Sequence, residues 1–164
     1  MNAPSKSAAN EAGNLGVELT RFNRVFRSEV ERALKDLELS TSEYTALSVI
    51  DAHPHITSAS LARAMMISRQ VAGRTVAELV TADLAFAAHS PSGRTSSVSI
   101  TERGTRILSD AHTRVSAVEA HILGPLSNDE SSTLIAAMRR CADAAGLQLL
   151  PSKPGDRSNR RGVS

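Results

Sequence analysis

TSASLARAMMISRQVAGRTVAELVTADLAFAAHSPSGRTSSVSITERG, residues 57–104, carries its local patterns in an informative order. Thr57 or Ser58 can cap a short helix whose inward side is Leu61, Ala62 and Met65, at i, i+1, i+4 spacing. Met66 and Ile67 make an apolar turn, and Ser68 is a good N-cap for a second helix. In that helix Val71, Ala72, Thr75, Val76 and Leu79 fall on one side, while Arg69, Gln70, Gly73, Arg74 and Ala77 fall on the other. Leu84, Phe86 and Ala88 then alternate with Ala85, Ala87 and His89. Ser90-Pro91-Ser92-Gly93 places Pro and Gly where a type I turn takes them, and residues 95–100 return as a strand with Val98 and Ile100 inward. Helix, turn, helix and β-hairpin wing is the order in which a protein lays one helix in the DNA major groove and a basic loop on adjacent phosphates.

The polar side of the second helix names the candidate contacts. Arg69 and Gln70 lie in its first turn and Arg74 one turn further along, residue types that pair bidentately with guanine and adenine edges. Gly73 between them permits close approach of the backbone, and Ser68 stands at the helix N-terminus within reach of phosphate. Arg94 sits at the hairpin tip with Thr95 and neighbouring serines, small hydroxyl donors suited to phosphate oxygens. Taken alone, the helix could equally be an exposed amphipathic one whose arginines only solubilise it. The hairpin that follows favours the nucleic-acid reading, because residues 57–106 carry six arginines against Glu78, Asp83 and Glu102.

Outside this unit the chain is helical. Leu15, Leu19, Phe22, Phe26, Val30, Ala33 and Leu37 step by three and four, predicting one long amphipathic helix. Ser40-Thr41-Ser42-Glu43 is a capping box opening a helix through Tyr44 and Leu47 that stops before Pro54. Thr101 caps a further helix ending at Gly124-Pro125, and Ser127 to Glu130 forms a second capping box before a last helix that runs toward Gly146. The expected fold is mainly α with a small β-hairpin wing: a winged helix-turn-helix at residues 40–101, flanked by N- and C-terminal dimerisation helices at 14–38 and 102–146 in one domain. Residues 1–13 are expected to be a disordered polar tail and 147–164 a basic flexible one. With three Phe, one Tyr and no Trp, so much apolar helix surface is hard to bury in one chain, and a two-fold homodimer is the simplest solution.

With LSTSEYTAL at 39–47, SLARAMMISRQVAGRTVAELV at 60–80 and VSITERGTRIL at 98–108, the sequence resembles the MarR family of winged-helix transcriptional regulators over residues 15–146. Ile100, Thr101 and Gly104 match that family's strand-to-helix junction. In its wing the family commonly carries an acid paired with arginine; here only Arg94 remains, and Asp83 stands where the family tends to have glycine. The resemblance implies a cytoplasmic homodimeric repressor that binds double-stranded DNA at a pseudo-palindromic operator. It also implies a small phenolic or anionic effector between the terminal helices and the winged unit. Phe22, Phe26, Tyr44 and Leu47 are the candidate lining residues, each also suited to ordinary core. A winged-helix interaction dimer that has lost specific DNA binding is the alternative, favoured by the altered wing and opposed by the Arg69, Gln70 and Arg74 face.

Composition bounds the remaining readings. A chain of 164 residues, 41% hydrophobic, is long enough to bury a core, and its net charge of +2 permits nucleic acid without demanding it. The basic residues are 16 Arg against 3 Lys, favouring planar bidentate contacts. Its single cysteine excludes an intrachain disulfide. Cys141 falls on the apolar side of the last helix, which suggests a buried structural thiol. No apolar run approaches the ~18 residues of a membrane span, and the N-terminus lacks a signal-peptide core. No nucleophile elbow, zinc-protease motif or phosphate-binding glycine loop is present, so no enzyme activity or cofactor is expected. His53-Pro54-His55 lacks the companion ligands of a metal site and is expected to be a solvated loop.

Overall fold

The computed structural model describes residues 14–89 and 96–144. Among these residues six α-helices and three short strands follow one another as α1 (Leu15–Leu34), a 3-10 turn (Lys35–Leu37), α2 (Thr41–Ala52), β1 (Ile56–Thr57), α3 (Ser58–Met65), α4 (Arg69–Thr81), β2 (Ala85–His89), β3 (Ser96–Ile100), α5 (Glu102–Leu123) and α6 (Asn128–Ala144). The fold is thus mainly helical with a small antiparallel sheet, as the sequence predicts.

Local chemistry sets the helix starts. Ser40 accepts from the Glu43 N–H while the Glu43 carboxylate accepts from the Ser40 N–H, a complete capping box. Thr57, Ser68 and Thr101 cap α3, α4 and α5 through side-chain oxygens that accept from Ser60, Val71 and Gly104. Ser127 and Glu130 repeat the capping box before α6. The long first helix ends earlier than its periodicity predicts: after Leu34 it tightens to a 3-10 turn, and Glu38 in the left-handed region reverses the chain. Arg114 of α5 fixes this end by donating to the Ala33 carbonyl and to Asp36.

The core is built by α1 to α5 together with the sheet. Leu34, Leu47, Ile50, Leu61, Leu79 and Val98 are fully buried there, joined by Val76, Leu108 and Val115. The sheet order is β1-β3-β2, with Ile56 opposite Val98 and Ala87 opposite Val98 on the other edge. Ala85 and Ala87 therefore share the inward face with Val98 and Ile100, and Phe86 is turned outward and exposed. β1 extends the expected hairpin to three strands. It is preceded by His55, whose left-handed backbone conformation and contact with the nearly buried Ser99 hydroxyl tie the His53-Pro54-His55 segment to the sheet.

Two apolar surfaces remain outside this core. The first half of α1 presents Leu15, Val17, Leu19, Phe22 and Val25 to solvent, and α6 buries none of its residues, with Leu134, Ile135 and Met138 exposed. Cys141 on α6 is likewise exposed, correcting the expectation of a buried thiol: the helix that carries it packs away from the core. Among the described residues no helix is long and apolar enough to cross a membrane, and no cluster of three or more metal-ligating side chains occurs.

Candidate nucleic-acid interface

The helix pair α3 and α4 is joined by Met66, which adopts a left-handed conformation at φ 54°. Its N–H and that of Ile67 return to the Arg63 and Ala62 carbonyls, so the reversal satisfies the end of α3 before α4 begins. Ala72, Thr75, Val76 and Leu79 seat α4 on the core. Ser68, Arg69, Gln70, Gly73 and Arg74 are all exposed, as the helical spacing predicts. Val71 departs from that prediction. It is 48% exposed, because it sits about 90° round the helix from the centre of the buried stripe.

Two glycines show opposite uses of a missing side chain. At Gly73 an added Cβ would meet nothing within 4 Å, so no packing inside the protein requires glycine there. At Gly104 an added Cβ would lie 2.0 Å from the Leu84 carbonyl oxygen, so the start of α5 can pass the base of β2 only with glycine in place. Thr101 completes this junction. Its hydroxyl donates to the Asp83 carbonyl at 2.7 Å and accepts from the Gly104 N–H, and its own N–H donates to the Leu84 carbonyl. Asp83, standing where the family tends to have glycine, takes φ 57°, a left-handed turn between α4 and the first wing strand.

The charged side chains of α4 are not independent. Arg74 Nε donates to Glu78 Oε1 at 2.9 Å, an i, i+4 pair with both partners solvent-accessible. The spacing is visible in the sequence, and its consequence is that the Glu78 carboxylate is a competing partner for the Arg74 guanidinium. On the neighbouring helix Arg63 donates to the Ser60 hydroxyl. Arg94 and Thr95, expected at the wing tip, lie outside the described residues.

The four residues considered for an effector do not form one lining. Phe22 stacks on Phe26 and opens onto a cleft between α1 and α5 that also carries Arg21, Arg32, Glu18 and Glu29, with His121 and Ile122 from α5; Glu29 pairs with Arg32 at 2.6 Å. Tyr44 is half-buried, with its hydroxyl 3.0 Å from His112 Nδ1 and the two rings edge to face. Burial, with the Glu119 carboxylate adding to it, pushes the Tyr44 phenol above its ordinary pKa, so it stays a neutral hydroxyl. His112 lines a second cleft with Asp51 and Ser109. Leu47 lies in the core and lines neither cleft.

Comparison with known proteins agrees with this geometry. Residues 36–94 match the sequence model of the MarR family. The HTH-type transcriptional repressor Rv2887 of Mycobacterium tuberculosis is 32% identical over 114 residues, covering 69% of this chain and 82% of the relative. The crystal structure of Rv2887, a MarR family protein, in complex with p-aminosalicylic acid superposes with a TM-score of 0.67 at 27% identity, covering 79% of this chain and 99% of that one. A mutant of Escherichia coli MarR complexed with operator DNA shares the fold, with a TM-score of 0.72 at 21% identity over 80% of this chain and 96% of that one. The capped helix pair, the Thr101–Gly104 junction behind the wing, and this likeness to a repressor across most of its length agree: the chain belongs to the MarR family of winged-helix transcriptional regulators, and is not an enzyme.

Proposed function

We propose that this regulator is a homodimeric, ligand-responsive repressor that reads a pseudo-palindromic operator through α4. The observation that carries the reading is the outer face of α4. Gln70, Gly73 and Arg74 stand exposed on a helix whose opposite face is locked into the core, and an open glycine lies between the two polar readers. Arg69, Gln70 and Arg74 contact base edges, Ser68 and the wing residues Arg94 and Thr95 contact phosphates, and Gly73 lets the backbone approach. The repressor role follows the relationship to Rv2887.

The two exposed apolar surfaces on α1 and α6 support self-association, with residues 14–38 and 102–146 as the dimerising part, 40–101 as the DNA-reading part and 147–164 as a basic tail. A dimer sets two copies of α4 about one duplex turn apart, roughly 34–36 Å. Rv2887 is a complex with p-aminosalicylic acid in one structure and with salicylic acid in another. An aromatic acid of that kind suits the cleft that Phe22 lines and Phe26 backs by stacking, with Arg21 as its cation; Glu18 and Glu29 also line this cleft and Glu29 already pairs with Arg32, so the aromatic face and Arg21 carry the fit, while Tyr44 and Leu47 line neither cleft. As a regulator that reads DNA, it acts in the cytoplasm.

The test is selection of tight binders by the purified protein from a random duplex library at about 150 mM salt, where screening leaves close contacts, with sedimentation of the same sample. An enriched inverted repeat bound by a dimer supports the reading. A folded dimer that enriches no sequence refutes it and transfers the assignment to a protein-interaction module.

A further inference from the structure

Resting on the proposal that α4 reads bases, we propose that Val71 is a specificity-determining residue that reads the C5-methyl group of a thymine in the major groove. Val71 is nearly half exposed in the first turn of α4, beside Gln70 and one turn before Arg74. Arg69 and Gln70, the other exposed residues of that turn, are polar and suit donor and acceptor groups on bases. The thymine methyl is the one apolar group on a major-groove edge, and in the first turn of α4 Val71 is the apolar side chain placed to meet it; Ala77, also exposed, lies six residues further along the helix. Val80, also exposed, lies nine residues on at the far end of the helix, about 13 Å away along its axis.

The backbone of Val71 is anchored by side chains at both of its polar groups: its N–H donates to the Ser68 hydroxyl at 3.2 Å, and its carbonyl accepts from the Thr75 hydroxyl at 3.1 Å. A β-branched side chain in a helix has one strongly preferred rotamer, so its two methyl groups are placed before DNA arrives. Valine is a poorer helix former than alanine, and at an exposed position the core does not require it. Along the same ridge, at i+3 and i+7, stand Arg74 and its partner Glu78. A rigid apolar contact thus lies beside the guanidinium, which suits a thymine next to a guanine.

The experiment takes the tight duplex selected from the random library and replaces each thymine in turn by deoxyuridine, which removes only the methyl group. Wild-type protein is expected to lose about fourfold in affinity at one thymine per half-site, the worth of one buried methyl at about 0.8 kcal/mol. Val71→Ala is expected to bind the parent duplex more weakly by a similar factor, to be indifferent to that replacement, and to match wild type on random DNA. Its unfolding temperature serves as the control that the exposed change leaves the fold intact. If the duplex is bound specifically and every replacement affects wild type and Val71→Ala alike, the assignment of Val71 is overturned while base reading by α4 stands. If no duplex is selected, the reading of α4 falls and the Val71 assignment falls with it.

Discussion

Replacing Gly73 by alanine separates the needs of folding from those of DNA binding. A Cβ at this position meets no heavy atom within 4 Å, so in the free protein the new methyl group projects into solvent. Alanine in a helix interior is more favourable than glycine by about 0.5–1 kcal/mol. For a domain of this size each kcal/mol moves the melting temperature by about 2–4 °C, so a rise of about 1–4 °C is expected. On DNA the sign reverses. Gly73 lies between Gln70 and Arg74, and a methyl group reaching about 1.5 Å beyond the backbone holds the helix off the base edges by more than the 2.7–3.2 Å hydrogen-bond window tolerates. Losing one bidentate contact costs about 1–3 kcal/mol, or about 5- to 150-fold in affinity for the selected duplex, with little change on random DNA. Thermal unfolding followed by circular dichroism and fluorescence anisotropy titration on one preparation measure both quantities. A variant that is more stable and binds as tightly as wild type would refute the placement of Gly73 against DNA; a less stable variant would refute the open space around it.

Gly104→Ala is expected to do the reverse. Its Cβ would need the Leu84 carbonyl to withdraw by about 1 Å, breaking the Thr101 bonds at the wing base and costing about 2–4 kcal/mol, seen as a melting temperature lowered by about 5–15 °C. Arg74→Ala should weaken binding to the selected duplex by about tenfold or more while changing random-duplex binding by a few-fold only, and equal losses on both would reject it as a base reader. Hydrogen bonds from the Ser127 backbone and hydroxyl hold the Glu130 carboxyl below its ordinary range. The cap of α6 is therefore complete above the ordinary carboxylate pKa and is lost as pH falls through the lowered value, and Glu130→Gln should remove that acid-induced fraying in amide NMR spectra.

Features governed by neighbours in sequence were legible before the structure. Ser40, Thr57, Ser68, Thr101 and Ser127 cap the helices they were expected to cap, because an N-cap bond spans only two or three residues. Asp83 takes the left-handed turn, and Gly104 occupies its junction for a steric reason the motif implies without stating. What escaped depends on distant packing. β1 is two residues long and carries no alternation of its own; it exists because Ile56 and Thr57 meet Val98 and Ser97. The end of α1 is set by Glu38 and by Arg114 reaching across from α5, neither of which alters the apolar period. Val71 sits at the margin of its helix stripe, where spacing alone cannot separate inside from outside. Cys141 lies on an apolar stripe that this single chain does not cover. For the candidate interface, the residue types, their common face and the i, i+4 spacing of Arg74 and Glu78 were readable, whereas the contact between those two side chains depends on rotamers that spacing does not fix.

The Thr101–Gly104 junction also makes α5 a lever. The helix has 22 residues, about 33 Å at 1.5 Å per residue. Its first turn is bonded to the base of the wing, and its last turns bring His121 and Ile122 to the cleft beside Phe22. A tilt of about 5° pivoting at the cleft end would carry the wing end through about 3 Å, as much as the full length of a hydrogen bond. If α4 reads the duplex as proposed, a small change in the cleft would thus be magnified at the far end of the same helix, where the wing base is bonded.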